Sequence, residues 1–356
     1  MLREESYEIE TTTPGDASLV ILGERGEQHL GTHFQEAASA LGITSSLLDA
    51  GRAVGHPFVY RIWWRLFRSL PRSGRYSRWV VEECRRLRPS LVLAVGRVPL
   101  RAQGLEALRR TGTVTANFAT DDPWNPMYRK RWLLESMAAY DWIFTPRRRN
   151  IEQFKNLGVR NVEYMPFGYS PALHERSTTL SEDDATSEGA DVLYVGGCDT
   201  DRIPYLQALN AAGFSMCIYG GRWERVPDLK AWVRGIGGMR EIQDAVQSSK
   251  VTLVLPRHAN RDGHVMRTFE TAAAGGCMLV EDTPEHRQLL GSEPVRVSFF
   301  QGLDDLVTQV RRLVGDAALR QRLRDALQDH IVRGGQNRYQ DRLASIWKNT
   351  VGRVPL

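Results

Sequence analysis

Residues 263–290 read G-H-V-M-R-T-F-E-T-A-A-A-G-G-C-M-L-V-E-D-T-P-E-H-R-Q-L-L and carry an imidazole, a guanidinium and a carboxylate spaced three apart. If the helix begins at Val265, then His264, Arg267 and Glu270 share one face near its N-terminus. Exposed N–H groups and the helix dipole favour an anion there. A guanidinium grips phosphate through two parallel hydrogen bonds, and a carboxylate accepts hydrogen bonds from a vicinal diol such as that of ribose. The plainer alternative is an i,i+3 surface ion pair on an ordinary helix. The small residues Ala272–Gly276 would let this helix pack closely on a sheet, with Cys277–Val280 as a buried parallel strand.

Other candidate groups stand where strands should end. Asp191–Gly197 is an apolar run closing on Gly196 and Gly197, and Arg202 stands at the entry of a helix around Tyr205–Ala211. A strand, a tight turn and a helix with a basic entry suit phosphate; a plain βα turn would look the same. Phe214–Gly221 repeats the pattern and is followed by Arg222 and Trp223, while Val251–Pro256 is a further apolar strand. A helix over Met239–Ala245 completes a Rossmann-like half, whose ligands should gather beyond the carboxyl ends of its strands.

The N-terminal half repeats this layout with strands at Ser18–Gly23, Ile43–Leu48, Leu91–Val95 and Thr113–Asn117, and a helix over Gln28–Leu41. Its most polar strand end is Asn117–Pro126, N-F-A-T-D-D-P-W-N-P. Asp121 and Asp122 could serve as base toward an acceptor hydroxyl or stabilise cationic charge, with Asp122 the first choice. They could also bind a metal, or form a turn capping a helix over Pro126–Met137. His29, near the first glycine turn, is a second candidate base; with His33 it makes an i,i+4 pair that no third ligand completes, so no metal site is expected.

At 356 residues the chain exceeds the size of a usual single core, so two domains are expected. No apolar run reaches the roughly 18 residues that span a bilayer, and the acidic start is unlike a secretory signal. The four cysteines lack C-x-x-C spacing and read as reduced core thiols, which points to a cytoplasmic protein. Tyr60–Arg78 interleaves arginine with aromatics; it could meet anionic lipid at the inner membrane face, a lipid-linked diphosphate or nucleic acid, or simply dock an amphipathic helix on the sheet. No nucleic-acid motif accompanies it. Ser177–Ala190, polar and aperiodic, is the best linker.

The segment Arg267-Thr-Phe-Glu270-Thr-Ala-Ala-Ala-Gly275-Gly276, followed by a strand and the acidic turn Glu281-Asp282, resembles the donor-binding segment of GT-B glycosyltransferases, most closely the CgeB-like, spore-maturation-protein type. Asp121-Asp122-Pro123 and Tyr219-Gly-Gly-Arg-Trp223 are similar to the same group, and Arg338-Tyr339-x-x-Arg342 resembles the close of many GT-B enzymes. The resemblance implies an α/β fold of two Rossmann-like domains facing a central cleft. The acceptor domain would span 1–176, the linker 177–190 and the nucleotide-sugar domain 191–335, with a helix over 336–356 returning to the first domain. It further implies a hexosyltransferase-type enzyme, acting in cell-surface glycan synthesis. A nucleotide-diphosphate sugar would be the donor, and a glycan, lipid-linked or small-molecule hydroxyl the acceptor, with no other cofactor and no metal. Gly196, Gly197, Arg202, Gly221, Arg222, His264 and Arg267 would surround the diphosphate or sugar, Glu270 the ribose, and the Ile236–Arg240 loop, with Gly238, Met239 and Arg240, the base. The related family 4 retaining enzymes carry E-x(7)-E, whose second Glu falls on Glu270; Asp262 stands at the first position. An epimerase or hydrolase of the same fold, or a binding protein that keeps it, are the alternatives.

Overall fold

The computed structural model describes residues 18–53, 73–127, 129–175 and 189–352. The chain divides into two compact units, one running to Met165 and resuming at Arg342, the other spanning Pro166–Asp341.

The first unit is a parallel sheet of six strands, β1 Ser18–Gly23, β2 Thr44–Asp49, β3 Leu91–Val95, β4 Val114–Phe118, β5 Trp142–Thr145 and β6 Asn161–Tyr164, in the order β2-β1-β3-β4-β5-β6. Helices α1 Leu30–Ala40, α2 Ser73–Leu87, α3 Ala102–Arg109, α4 Arg131–Ala139 and α5 Arg148–Asn156 alternate with the strands. The strands are apolar on both faces because helices cover both, and Val20, Leu22, Val92, Ala94 and Ile143 form one core with Val80, Leu105, Leu133 and Phe154. Each of the valine, leucine, isoleucine and phenylalanine side chains among them contributes about 1.5–3 kcal/mol on burial. The chain winds from β1 to β2 on one side and returns to β3 on the other, so β1 and β3 flank the point where the strand order reverses.

The second unit has the same design. Strands β7 Val192–Val195, β8 Met216–Tyr219, β9 Val233–Gly235, β10 Val251–Val254, β11 Met278–Glu281 and β12 Ser298–Phe300 pair in the order β12-β11-β10-β7-β8-β9. The helices are α6 Pro171–His174, α7 Ile203–Ala211, α8 Met239–Ser248, α9 Arg267–Ala273, α10 Pro284–Leu290, α11 Gly302–Gly315 and α12 Ala317–Gln328. The last helix, α13 Tyr339–Thr350, begins in this unit and passes at Arg342 into the first. Here the strand order reverses between β7 and β10, and ligands of such sheets bind outside the carboxyl ends of that pair.

Residues 166–175 belong with the second unit for a visible reason. The Tyr169 N–H donates to Asn337 O (3.1 Å) and the Tyr339 N–H to Tyr169 O (2.8 Å). The unit boundary thus falls at Met165, ahead of the expected limit at residue 176. The expected linker 177–190 lies, save for Gly189 and Ala190, outside the described residues. So does most of Tyr60–Arg78; its end opens α2, with Tyr76 buried and Arg75 and Arg78 exposed. The helix expected over Pro126–Met137 starts only at Arg131, because side-chain-closed turns hold the residues before it. Burial pushes the Cys84 thiol up to about 12 and that of Cys277 to about 11, as inert core thiols require. Among the described residues no helix is long and apolar enough to cross a membrane.

Candidate functional site

In the second unit, three glycine turns are laced together where the sheet ends. The Gly196 N–H donates to Tyr219 O (2.8 Å), Cys198 N–H to Gly221 O (3.2 Å) and Gly220 N–H to Gly235 O (2.7 Å). Trp223, fully buried, adds its indole N–H to Gly196 O at 2.8 Å. Gly220 sits at φ +147, and a Cβ there would lie 2.0 Å from Gly196 O, so only glycine permits this approach.

Guanidinium groups converge on this turn around one carboxylate. Asp199 Oδ2 accepts from Arg257 Nε (2.8 Å) and Arg202 Nη1 (3.3 Å), while Arg222 Nη2 stands 3.9 Å from Oδ1. Arg202 is buried and also donates to Leu255 O at 2.8 Å, which ties the β7 turn to the end of β10. It braces the turn. The side chain of Arg222 is exposed and that of Arg257 partly so, leaving these cations toward solvent beside the strand-order reversal. Next to them His258 Nε2 lies 2.9 Å from both Glu281 oxygens, and the His258 backbone N–H donates to Asp201 Oδ2. The carboxylates of Asp199, Asp201 and Glu281 balance these cations, so what suits a diphosphate is the outward placing of the Arg222 and Arg257 guanidiniums.

The helix carrying Arg267 and Glu270 stands beside this turn in the sequence order of the sheet and starts later than expected, at Arg267, so His264 lies before it and off the shared face. The cause is local. Thr268 Oγ1 accepts the Val265 N–H (3.3 Å), Val265 O takes the Thr268 N–H, and Met266 O takes those of Phe269 and Glu270. With those N–H groups bonded internally, the side chain of Arg267, more than the helix end, carries the attraction for an anion. His264 is buried: Nδ1 lies 2.9 Å from Glu285 Oε2, and Nε2 accepts the Phe167 N–H at 3.3 Å. It anchors the turn and the 166–170 segment. Gly263 permits the close approach of Glu285, whose Oε2 would lie 2.6 Å from a Cβ.

Glu270 is 4% exposed, with Oε2 2.7 Å from Arg267 Nη1 and Oε1 3.5 Å from His174 Nε2. The pair expected from the spacing is therefore formed, with its carboxylate buried and its guanidinium partly open. A narrow cavity beside it is lined by Val195, Met239, Ile242, Thr271 and Ala274. Gly238 caps α8, with Glu241 accepting its N–H at 2.6 Å; Met239 is buried and Arg240 exposed. Ile236, 67% exposed between two glycines at positive φ, is the most exposed large apolar side chain of this loop.

In the first unit, Asp122 is fully buried: Oδ1 accepts the Trp124 N–H (3.0 Å) and the Asn150 amide (3.1 Å). Asp121 is the one turned outward, held by Arg97 Nε at 3.0 Å. Asp122, the first choice from sequence, is thus the more enclosed of the two, since the turn needs a short carboxylate inward to close it. His29, half exposed, is the residue before α1, with Nδ1 3.2 Å from Glu24 Oε2. Glu24, His29 and Arg97 thus follow β1 and β3, the pair at this unit's strand-order reversal.

Sequence reading missed Asp199, Arg257, His258, Glu281 and His174 as members of these clusters. Only the parallel pairing of β7 with β10, over fifty residues apart, brings Asp199 to Arg257.

Residues 202–348 match the family described as "Glycosyl transferase-like", so the part of the chain holding Arg222, Arg257, Arg267 and Glu270 is a glycosyltransferase-like enzyme segment. A glycosyltransferase from Rickettsia africae ESF-5 superposes with a TM-score of 0.65 at 11% identity, over 94% of this chain and 99% of that one. Sucrose-phosphate synthase from Thermosynechococcus elongatus gives 0.64 at 12% identity, over 94% and 98%. The fold is that of the GT-B glycosyltransferases. A UDP-GlcNAc 2-epimerase from Neisseria meningitidis, bound to UDP-GlcNAc, shares it with a TM-score of 0.56 at 12% identity, over 94% and 100%. No curated protein matches the chain in sequence.

Proposed function

We propose that this protein transfers a hexose from a nucleotide-diphosphate sugar to an acceptor hydroxyl, with retention of configuration. The observation that carries the reading is the coincidence, inside the glycosyl transferase-like segment, of outward guanidiniums at the strand-order reversal with the buried, ion-paired Glu270. Arg222, Arg257 and Arg267 hold the diphosphate. As the glycosidic bond breaks, charge accumulates on that group, and fixed guanidiniums stabilise it more in the transition state than in the bound donor. Glu270 accepts hydrogen bonds from the ribose hydroxyls, and the Ile236–Arg240 loop, with Gly238, Met239 and Arg240, borders the base. Gly196, Gly197 and Gly221 keep the backbone open to the phosphates, with Arg202 and His264 bracing the turns around them. The cations present make a divalent metal unnecessary for the leaving group. Asp121 and His29, both partly exposed at strand ends of the first unit, are the residues proposed to meet the acceptor; Asp122 holds their turn.

The likeness to UDP-GlcNAc 2-epimerase supports a second reading, in which the donor is consumed without an acceptor. A thermal-shift screen of nucleoside diphosphates identifies the base first, since a ligand at 100 times its dissociation constant adds about 2.7 kcal/mol. Turnover of the matching nucleotide sugar is then followed with and without sugar, lipid and small-molecule alcohols. Turnover that needs an alcohol supports transfer; turnover without one supports epimerisation or hydrolysis.

A further inference from the structure

The buried imidazole of His174 has a geometry that the nucleotide reading above leaves unused. His174 ends α6, only 2% exposed, and stands near the Glu270 oxygen that Arg267 does not meet. Its Nδ1 accepts the Ser170 N–H at 2.8 Å, with the Ser170 carbonyl at 3.1 Å from the same atom. An imidazole nitrogen that accepts a backbone N–H carries no proton, so in the neutral ring the proton sits on Nε2. That is the atom 3.5 Å from Glu270 Oε1. Arg267 meets the other oxygen, at 2.7 Å from Oε2. The two carboxylate oxygens thus have different neighbours, a buried imidazole near Oε1 and a partly exposed guanidinium on Oε2.

We infer that His174 is a positioning residue for nucleotide binding: its Nε2–H fixes the rotation of the Glu270 carboxylate so that a nucleoside diphosphate finds its acceptors already oriented. The inference rests on the nucleotide-binding reading. A carboxylate held by one partner can swing about its terminal torsion, which is broad and roughly twofold; a second donor on the other oxygen removes that freedom before the ligand arrives. At 3.5 Å, Nε2 and Oε1 are in electrostatic contact rather than a closed hydrogen bond, and the ring's bulk and N–H dipole already limit how the carboxylate turns in the ligand-free protein. The helix holding His174 is itself fixed, because Gln243 of α8 donates to the Leu173 and Glu175 carbonyls on either side of it.

Two amide substitutions separate the roles of the two ring nitrogens. The shorter amide of His174→Asn would reach only as far as Nδ1, so this variant keeps the Ser170 contact and loses the donor to Glu270. The longer amide of His174→Gln reaches as far as Nε2 and restores that donor. The experiment is calorimetric titration of wild type, His174→Asn, His174→Gln and Glu270→Ala with the nucleoside diphosphate that shifts wild-type melting most. It is paired with ¹⁵N NMR of the histidine rings in the ligand-free protein. The expected result is affinity lower by about tenfold or more in His174→Asn, the scale of one hydrogen bond to a charged group, at near wild-type melting temperature, and largely recovered in His174→Gln. NMR should show the His174 ring protonated at Nε2 and its signal moved by Glu270→Gln. Wild-type affinity in His174→Asn beside weakened Glu270→Ala overturns the inference and leaves the nucleotide reading standing. Undiminished affinity in Glu270→Ala removes that reading, and a ring proton at Nδ1 overturns the inference without any ligand.

Discussion

Arg267 and Glu270 stand one helical turn apart with Nη1 2.7 Å from Oε2, the guanidinium 24% exposed and the carboxylate 4%. The asymmetry matters more than the pairing. An exposed i,i+3 pair contributes a few tenths of a kcal/mol and says nothing of function. A carboxylate kept out of water is costly unless it is well satisfied, and this one sits behind a cation that still reaches solvent, within the segment that matches the glycosyl transferase-like family. Under the proposed function an incoming phosphate meets Arg267 first, with Glu270 holding that arginine in place.

Asp122 should behave as a structural residue. Replacing it with Ala strands the Trp124 N–H and the Asn150 amide, and stability should fall by about 1–3 kcal/mol. Asp121→Asn removes an exposed partner of Arg97 and should change stability by less than about 1 kcal/mol. Urea denaturation of both variants checks the contrast, and turnover of Asp121→Asn should fall about 10²-fold if that carboxylate acts as base.

His286 gives the protein an acid sensitivity. Burial lowers its pKa from 6.5 to about 4, and the ring bonds Glu281 O at 2.8 Å and Thr268 Oγ1 at 3.1 Å. A depressed folded-state value means the unfolded chain takes up the proton first. The stabilisation is thus complete above pH 6.5 and is lost as the pH falls toward 4, by roughly 3 kcal/mol. Denaturation curves between pH 7 and 4 should show this slope, flattened in His286→Gln.

Gly220→Ala should be far worse than most surface changes, since its Cβ would fall 2.0 Å from Gly196 O at a φ of +147. A loss of at least about 3 kcal/mol, or failure of the second unit to fold, is expected. Gly221→Ala, which meets nothing within 4 Å, is the control, compared by melting temperature.

Transfer should survive exhaustive chelation, because fixed guanidiniums carry the leaving-group charge in the proposed mechanism. Activity after EDTA treatment should stay within about twofold of the untreated enzyme. Recovery only on adding manganese or magnesium would move the leaving-group charge to a metal.

Much of the architecture was legible because parallel strands buried on both faces read as short apolar runs between turns: Ser18–Gly23 and Leu91–Val95 were expected with the bounds observed. The strands Asn161–Tyr164 and Val233–Gly235 were not, since edge strands of three or four half-exposed residues carry no such run. Arg267 and Glu270 were visible through local spacing. Their partner His174 lies across nearly a hundred residues, and the Asp199–Arg257 contact exists only because β7 and β10 are neighbours. Asp121 and Asp122 could not be told apart by role, because a buried turn-closing aspartate and a reactive one look alike in one sequence.

The central claim is that Arg267 and Glu270 form the nucleotide site, and calorimetric titration of a nucleoside diphosphate into Arg267→Ala and Glu270→Ala tests it most directly. Each variant should bind more weakly by at least about 1.5 kcal/mol, the loss of one charge-assisted contact, while circular dichroism remains that of the wild type. Wild-type affinity in both folded variants would contradict the claim and reduce the pair to a structural ion pair.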